Sequence, residues 1–375
     1  MLPFTIGTGS LRSGIVLFRS PIVLRLFPLL LVLLLAMPGK GQSPGGRSFQ
    51  FLDLVGSARV AALGGQYTAL HDDDITLAVQ QPAILDSSVH QHLALNYVDH
   101  FAGIGYGFAS YAHDFGGQAG TWAGTIQYVN YGTFDRRNLL GFKEGTFTAA
   151  SYAINISHGR WLDSNFAIGG NLKLVHSQML DRWAMGVGLD LSGMYVNTAS
   201  GFTASLSARN IGGQVKSYYA NDRAPLPFEI RGGITKTLEH APFRLGVMLR
   251  DLQQWKLRNP ESGIEKKKGL FGSKKEDSVG TRGKIGAFFD NTLRHLIFNV
   301  EVLITENIHI RIGYDYRRRA ELQIEEKPGF VGFNWGIGFK IDRFRFSYGR
   351  SSYHLSGGKN HFTVTTDLGA FRSKK

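Results

Sequence analysis

The sequence predicts an all-β fold, a transmembrane antiparallel β-barrel of about 14 strands. Three observations carry this. After the first 41 residues no stretch of 18 apolar residues occurs, so no helix is predicted to span a bilayer. Apolar and polar residues instead alternate with period two in segments of about ten, as in strands whose two faces meet different surroundings. The connections between those segments also alternate, short then long.

The chain opens on a targeting signal. Arg12, Arg19 and Arg25 precede LFPLLLVLLLA (Leu26–Ala36), an apolar run of about 11 residues. That suits the hydrophobic core of a signal peptide and falls short of the ~20 residues a spanning helix needs. Gly39 and Gly41 follow, so cleavage after Gly41 would leave Gln42 first; an uncleaved anchor is the alternative. Residues 1–41 are therefore assigned to a signal peptide, 42–88 to a segment ahead of the first strand, and 89–370 to the barrel.

The strands are read from their alternation. In NIHIRIGYDYR, Ile308, Ile310, Ile312, Tyr314 and Tyr316 share one face, and His309, Arg311, Gly313, Asp315 and Arg317 the other. VGFNWGIGFKI (Val331–Ile341), FRFSYGR (Phe344–Arg350) and HFTVTTDL (His361–Leu368) repeat the pattern. A soluble sandwich would bury the apolar face, whereas a membrane barrel turns it to lipid and keeps the polar face in its lumen. Strand length favours the barrel, as do aromatics near strand ends: Tyr97, Tyr128, Tyr131, Trp161, Trp183, Tyr314, Tyr316 and Tyr348. Strands are expected at 91–98, 103–114, 119–132, 145–159, 165–178, 183–196, 202–211, 227–237, 243–257, 295–304, 307–317, 329–340, 343–354 and 360–368. Short connections (DFGGQ, LDSN, NTASG, LEHAP, TEN, IDR) alternate with mostly longer ones, the arrangement of periplasmic turns and outer loops. Both ends of the barrel then lie on the periplasmic side. Arg258–Lys284 is polar and Gly/Ser-rich and reads as a mobile outer loop. IGAFFDNTLRHL (Ile285–Leu296) is expected to form a short helix before the tenth strand.

Charge and composition narrow the function. The formal net charge is +13, but much of it sits in the N-terminal segment and in apparent loops, at Lys266–Lys268, Lys274, Lys275 and Arg317–Arg319. No nucleic-acid recognition motif accompanies it, so attraction to an anionic membrane surface is the better account. Cysteine is absent, which excludes disulfides and a lipid-modified N-terminal Cys. No GxSxG, HExxH or P-loop occurs, so no catalytic residue, cofactor or metal is assigned. His90 and His92 share one side of a strand and could share a metal, yet two polar groups at a strand entrance explain them as well. Asp72–Asp74 lack the spacing of a calcium loop and read as a turn or helix N-terminus accepting backbone N–H bonds. Lys173, Glu301, Arg311 and Asp315 fall on lumen faces, where they pair with one another, meet water or mark a solute path.

The stretch Ala58–Leu85 carries a resemblance. Its Ala58-Arg59, Gly64-Gly65, Asp72-Asp73-Asp74 and Gln81-Pro82-Ala83 resemble the N-terminal segment of the FadL-like outer-membrane family. That family has a small-residue helix start, a Gly-Gly step, an acidic step and an Asn-Pro-Ala motif. The resemblance implies that these residues fold inward as a hatch in the lumen. FQFLDLVGSARVAALGG (Phe49–Gly65), LNYVDHFAGIGYGFASYAHDF (Leu95–Phe115), IQYVNYGTFDR (Ile126–Arg136), PLPFEIRGGITKTLEHAPFRL (Pro225–Leu245) and LRHLIFNVEVLITENIHIRIGYDYRRRAEL (Leu293–Leu322) look most like the PorQ-like proteins of the Bacteroidetes type IX secretion system. This implies a non-enzymatic outer-membrane component that anchors a cell-surface attachment complex. The implied partners are PorU, PorV, a PorZ-like surface protein and outer-membrane lipid, with no nucleic acid. Two departures stand out. Gln81 replaces the family's Asn, and Gln suits a left-handed turn less well. The chain ends AFRSKK, so Phe371 or Leu368 would serve in place of a final aromatic.

On this reading the outer loops at about 133–144, 212–226, 258–284 and 318–328 form the docking surface, with Tyr218, Tyr219 and Arg223 as partner-binding residues. The alternative is a FadL-like channel for a hydrophobic ligand, which requires an apolar cavity behind the hatch and a lateral opening. Arg311, Asp315, Lys340 and Arg345 on the lumen faces run against a greasy conduit. A soluble β-rich periplasmic enzyme is a third class, and it lacks a catalytic constellation.

Overall fold

The computed structural model describes residues 46–220, 222–257, 281–323, 329–354 and 357–371. The expected signal peptide and most of the expected loop 258–284 lie outside the described residues. Among those described, fourteen strands close into one antiparallel barrel in sequence order. They are β1 (His92–Asp99), β2 (Gly105–Asp114), β3 (Thr121–Arg137), β4 (Lys143–Trp161), β5 (Phe166–Met179), β6 (Arg182–Asn197) and β7 (Phe202–Lys216). Then come β8 (Glu229–Thr237), β9 (Phe243–Leu249), β10 (Leu296–Leu303), β11 (Ile308–Asp315), β12 (Phe333–Ile341), β13 (Phe344–His354) and β14 (Gly357–Asp367). The ring is shut by β1 on β14, from His92 opposite Asp367 to Asp99 opposite Asn360. No helix among the described residues is long and apolar enough to cross a membrane, which leaves the strands as the elements that could.

The wall is built inside out relative to a water-soluble core. Along β3, Thr121, Ala123, Thr125, Gln127 and Val129 are buried, while Trp122, Ile126 and Tyr128 are exposed. Small and polar side chains thus face the lumen, and large apolar ones face out. Leu95, Ile126, Ile154, Leu174, Ile312 and Ile337 continue the outer belt around the barrel. A belt of that extent is covered by lipid in a membrane barrel and would be an aggregation surface in water.

Several boundaries differ from the sequence expectation for identifiable reasons. β3 and β4 run on to Arg137 and from Lys143, with Phe134 stacked on Phe147 at 5.4 Å, so most of the expected loop 133–144 is paired strand. β9 stops at Leu249 instead of continuing to 257, because Asp251 takes a left-handed φ of 51° and the chain turns there. The expected helix before β10 is present and starts earlier; we call it α2 (Thr281–Arg294), after α1 (Ala58–Ala62). A third helix, α3 (Tyr316–Leu322), occupies the end of an expected strand and part of a loop. Asp315 caps it, its side chain accepting from the Arg318 backbone N–H at 3.0 Å. Three of the expected girdle aromatics are used elsewhere. Tyr131 packs on an inner apolar cluster, Trp161 meets the His71 ring edge-on at 4.9 Å, and Tyr316 donates to Asp290 at 2.7 Å.

The N-terminal segment lines this ring from within. Its apolar residues cluster with inward wall residues on different sides of the barrel. Phe49, Phe51 and Leu52 meet Tyr106, Phe108 and Leu226. Val60, Leu63 and Tyr67 meet Met248 and Ile297. Ile75, Leu85 and Val89 meet Ala94 and Ala112, and Ala83 meets Ala167 and Met194.

Candidate functional site: the lumenal seat of the N-terminal segment

The segment is held by its backbone. α1 has only five residues, too few to persist as an isolated helix. Ser57 caps its start, and Gly64 and Gly65 end it with φ of 102° and 94°, a conformation that favours glycine. The wall beneath α1 is bare. A Cβ added at Gly349 would lie 2.2 Å from the Ala58 carbonyl oxygen, and one at Gly313 would lie 2.3 Å from the Leu63 carbonyl carbon. The Ala58 N–H donates to Thr363 Oγ1 at 2.9 Å, and Ser351 Oγ donates to the Ala61 carbonyl at 3.1 Å. Gln81, Pro82 and Ala83 sit on the opposite side in the same manner. A Cβ at Gly169 would come within 2.4 Å of Ala83 N and of the Pro82 carbonyl carbon. The Ala83 N–H donates to Ser192 Oγ at 3.0 Å, and Gln81 Nε2 donates to the Gly193 carbonyl at 3.2 Å. Gln81 has φ of −144°, not a left-handed turn, so glutamine meets no backbone penalty there and the expected difficulty falls away.

Charge locks the seat. Arg59, buried, donates through Nε and Nη2 to the two oxygens of Glu301, at 3.1 and 2.8 Å. Its Nη1 lies 2.8 Å from Asp72 and 3.2 Å from Asp74. Glu301 also accepts from Arg311 Nε at 2.8 Å and from Arg244 Nη1 at 2.7 Å. Three guanidinium groups thus meet three carboxylates around one buried wall glutamate. Such a cluster fixes geometry more than it adds stability, since desolvation offsets much of the attraction, but breaking it exposes unpaired buried charge.

The three aspartates take three different roles. Asp74 caps the turn Ile75–Leu77, its Oδ1 accepting from the Thr76 backbone at 3.0 Å and the Thr76 hydroxyl at 2.6 Å. This is the N-cap expected from the sequence. Asp72 faces Arg59. Asp73 leaves the cluster and receives both terminal nitrogens of Arg345, at 2.9 and 2.8 Å. Burial alone would raise the Asp73 carboxyl, but the Arg345 hydrogen bonds and charge hold it below the ordinary range. Its stabilising share is therefore present above ~4, the unfolded carboxylate value, and is lost as pH falls through the lower folded value. Asp73→Asn should cost about 1 kcal/mol or less at neutral pH, because the pair is partly solvent-screened. Denaturant midpoints at pH 7 and pH 3 check this; the variant's deficit should shrink at the lower pH.

The remaining sequence candidates divide. Lys173 pairs with Asp190 at 2.7 Å, Asp315 with Arg250 at 2.7 Å, and Glu301 with Arg311, so these lumen charges are mutually satisfied. His90 and His92 do not converge. His90 Nδ1 accepts from the Asp114 N–H at 3.0 Å, and His92 Nδ1 lies 3.1 Å from the Asp73 carbonyl. Tyr218 is pinned to the wall: its hydroxyl donates to Ser177 at 2.6 Å and its carbonyl accepts from Arg182 at 3.2 Å. Tyr219 lies under the Arg182 guanidinium at 4.3 Å, and with Arg223 and Lys216 it lines a rim cavity of about 810 Å³. Sequence reasoning missed Arg59 as the hub and the inward glycines as its seat.

No protein-family model matches the chain, and no curated protein matches it. Solved structures do. The toluene transporter TbuX of Ralstonia pickettii is 11% identical, covering 83% of this chain and 97% of its own, with a TM-score of 0.41. The toluene transporter TodX of Pseudomonas putida is 11% identical, covering 84% and 97%, with a TM-score of 0.45. A FadL homologue of Pseudomonas aeruginosa is 10% identical, covering 84% and 98%, also with a TM-score of 0.45.

Proposed function

We propose that this chain is an outer-membrane barrel of FadL-like construction, closed by its own N-terminal segment and working through its outer rim as an anchor for protein at the cell surface. The observation that carries this is the locked seat. α1 lies with its backbone on wall glycines, and Arg59 is bound to three carboxylates. A lumen fastened in this way suits a scaffold better than a conduit. The type IX attachment complex, with PorU, PorV and a PorZ-like protein, is the finer assignment, and it rests on the sequence resemblance alone. The test is to delete Lys216–Arg223 and purify the protein from native outer membranes by affinity. Loss of a co-purifying surface protein is expected. Undiminished recovery would remove this loop from the docking surface.

A second reading is a channel for a hydrophobic ligand, the kind of activity named for the toluene transporters. One observation favours it: Phe49, Phe51, Tyr106, Phe108 and Leu226 form an apolar cluster inside the barrel, with Tyr218 packed against it near the rim cavity. Calorimetry of delipidated protein with toluene and with a long-chain fatty acid separates the two. Stoichiometric binding would move the assignment to a channel.

A further inference from the structure

Arg209 on β7 is a buried charge that neither the seat nor a wall ion pair uses. Its side chain faces the lumen because the strand bulges there. Leu189 of β6 pairs with Ile211 and Leu191 with Ala208, so Arg209 and Asn210 together oppose Asp190. Asn210 takes a left-handed φ of 57° to make this possible. Bulges of this kind re-aim side chains, and non-glycine residues are held in that conformation where the surroundings require it. Residues 208, 209 and 210 are in consequence all buried, and Arg209 is 2% exposed.

No hydrogen bond or ion pair satisfies Arg209 among the described residues, and its Nε is occluded without a partner. The carboxylates around it are engaged elsewhere. Asp190 accepts from the Asn210 N–H at 2.7 Å, Lys173 Nζ at 2.7 Å and Asn171 Nδ2 at 3.1 Å. Glu229, opposite Arg209 in the β7–β8 register, is bound to Arg231 and to Gln66 Nε2. Among the described residues Asp53 receives only a long 3.4 Å bond from Asn210 Nδ2, and it is exposed. A buried guanidinium with no hydrogen-bonded or ion-paired partner of its own is costly, and an added oxyanion could supply one.

We propose that Arg209 is the anchor of a binding site for a small oxyanion, such as sulfate, in the lumen, with Asp53 as the carboxylate that competes for it. The charged groups around Arg209 and Asp53 are Arg231 and Glu229 on β8, Asp190 on β6 and Lys173 on β5. Desolvation and Glu229 push the Asp53 carboxyl up to about 6. Below that pH Asp53 is neutral and ceases to repel an incoming anion, so the site strengthens on acidification. This site is independent of whether the barrel anchors a partner or admits a ligand.

The test is calorimetry of the full chain in detergent with sodium sulfate, whose charge is constant between pH 5 and 8. One site is expected. Its affinity should rise severalfold from pH 7.5 to pH 5.5, and Asp53→Asn should show the tighter binding already at pH 7.5. Arg209→Gln should weaken binding at least tenfold and Arg209→Lys less, with circular dichroism confirming that both variants fold. A selenate soak should place an anomalous peak within hydrogen-bond reach of the guanidinium. No heat and no such peak, or equal binding by Arg209→Gln, would mean that Arg209 is only hydrated and would overturn the proposal.

Discussion

Replacing Glu301 with glutamine should destabilise the protein by about 3–5 kcal/mol, the cost of removing one member of a buried ion cluster. Glu301 is fully buried and is bonded by Arg59, Arg311 and Arg244 at once. Glutamine keeps the volume and one acceptor oxygen but no charge. Three guanidinium groups would then share Asp72 and Asp74, and Arg311 reaches neither within ion-pair distance. The wall strand β10 need not break, because its ladder to β9 and β11 is backbone to backbone. The loss should therefore appear first as release of the N-terminal segment: protease access near Arg59, and new conductance in planar bilayers before the barrel itself unfolds. A double variant, Glu301→Gln with Arg311→Met, removes one orphaned cation along with the anion. It should recover part of the loss, and the non-additivity would measure the coupling. If the single variant unfolds within 1 kcal/mol of the parent in denaturant titration, the cluster is not what holds the seat.

The contrast between what the sequence disclosed and what it hid has a physical basis. The strands were legible because each faces two environments, so alternation recurs in every one, as at Ile308, Ile310 and Ile312 against Arg311 and Gly313. The lumen charges were legible for the same reason, since Lys173 and Glu301 fall on the polar face. Their partners were not. Arg59 and Glu301 are 242 residues apart, and nothing local to Arg59 distinguishes a buried hub from a solvated helix residue. α3 was hidden because the alternation of β11 runs into Tyr316, while the stop is set by Asp315 turning back to cap Arg318. The bulge at Arg209 shifts the inward phase by one residue, which a period-two reading cannot register. The inward glycines were the hardest to value. In a strand, glycine ordinarily reads as weakness. Here Gly169, Gly313 and Gly349 are where another backbone lies against the wall.

That reading of the glycines gives the second large effect. Gly349→Val and Gly169→Val each place a Cβ into the N-terminal segment and not into a neighbouring strand. At Gly349 the three nearest atoms all belong to Ala58, and at Gly169 they belong to Pro82 and Ala83. Valine suits a strand, so the wall itself should tolerate either change. The obstructed atoms are backbone, which cannot swing aside as a side chain can. Each variant should therefore cost the segment about 1–3 kcal/mol of its docking, and the pair together should displace it. The double variant is expected to fold and to migrate as a closed barrel in cold detergent gels, while showing protease cleavage within 56–86 and a large new conductance. Gly124→Val, where an added Cβ meets nothing within 4 Å, is the control and should change neither. Unaltered conductance and protection in the double variant would mean that the segment does not close the lumen. The same variant also separates the two functional readings. An anchor that works through its rim should still recover its surface partner with the segment displaced. A channel gated by the segment should instead gain flux for its hydrophobic ligand, because the barrier it must pass has been lifted from the wall.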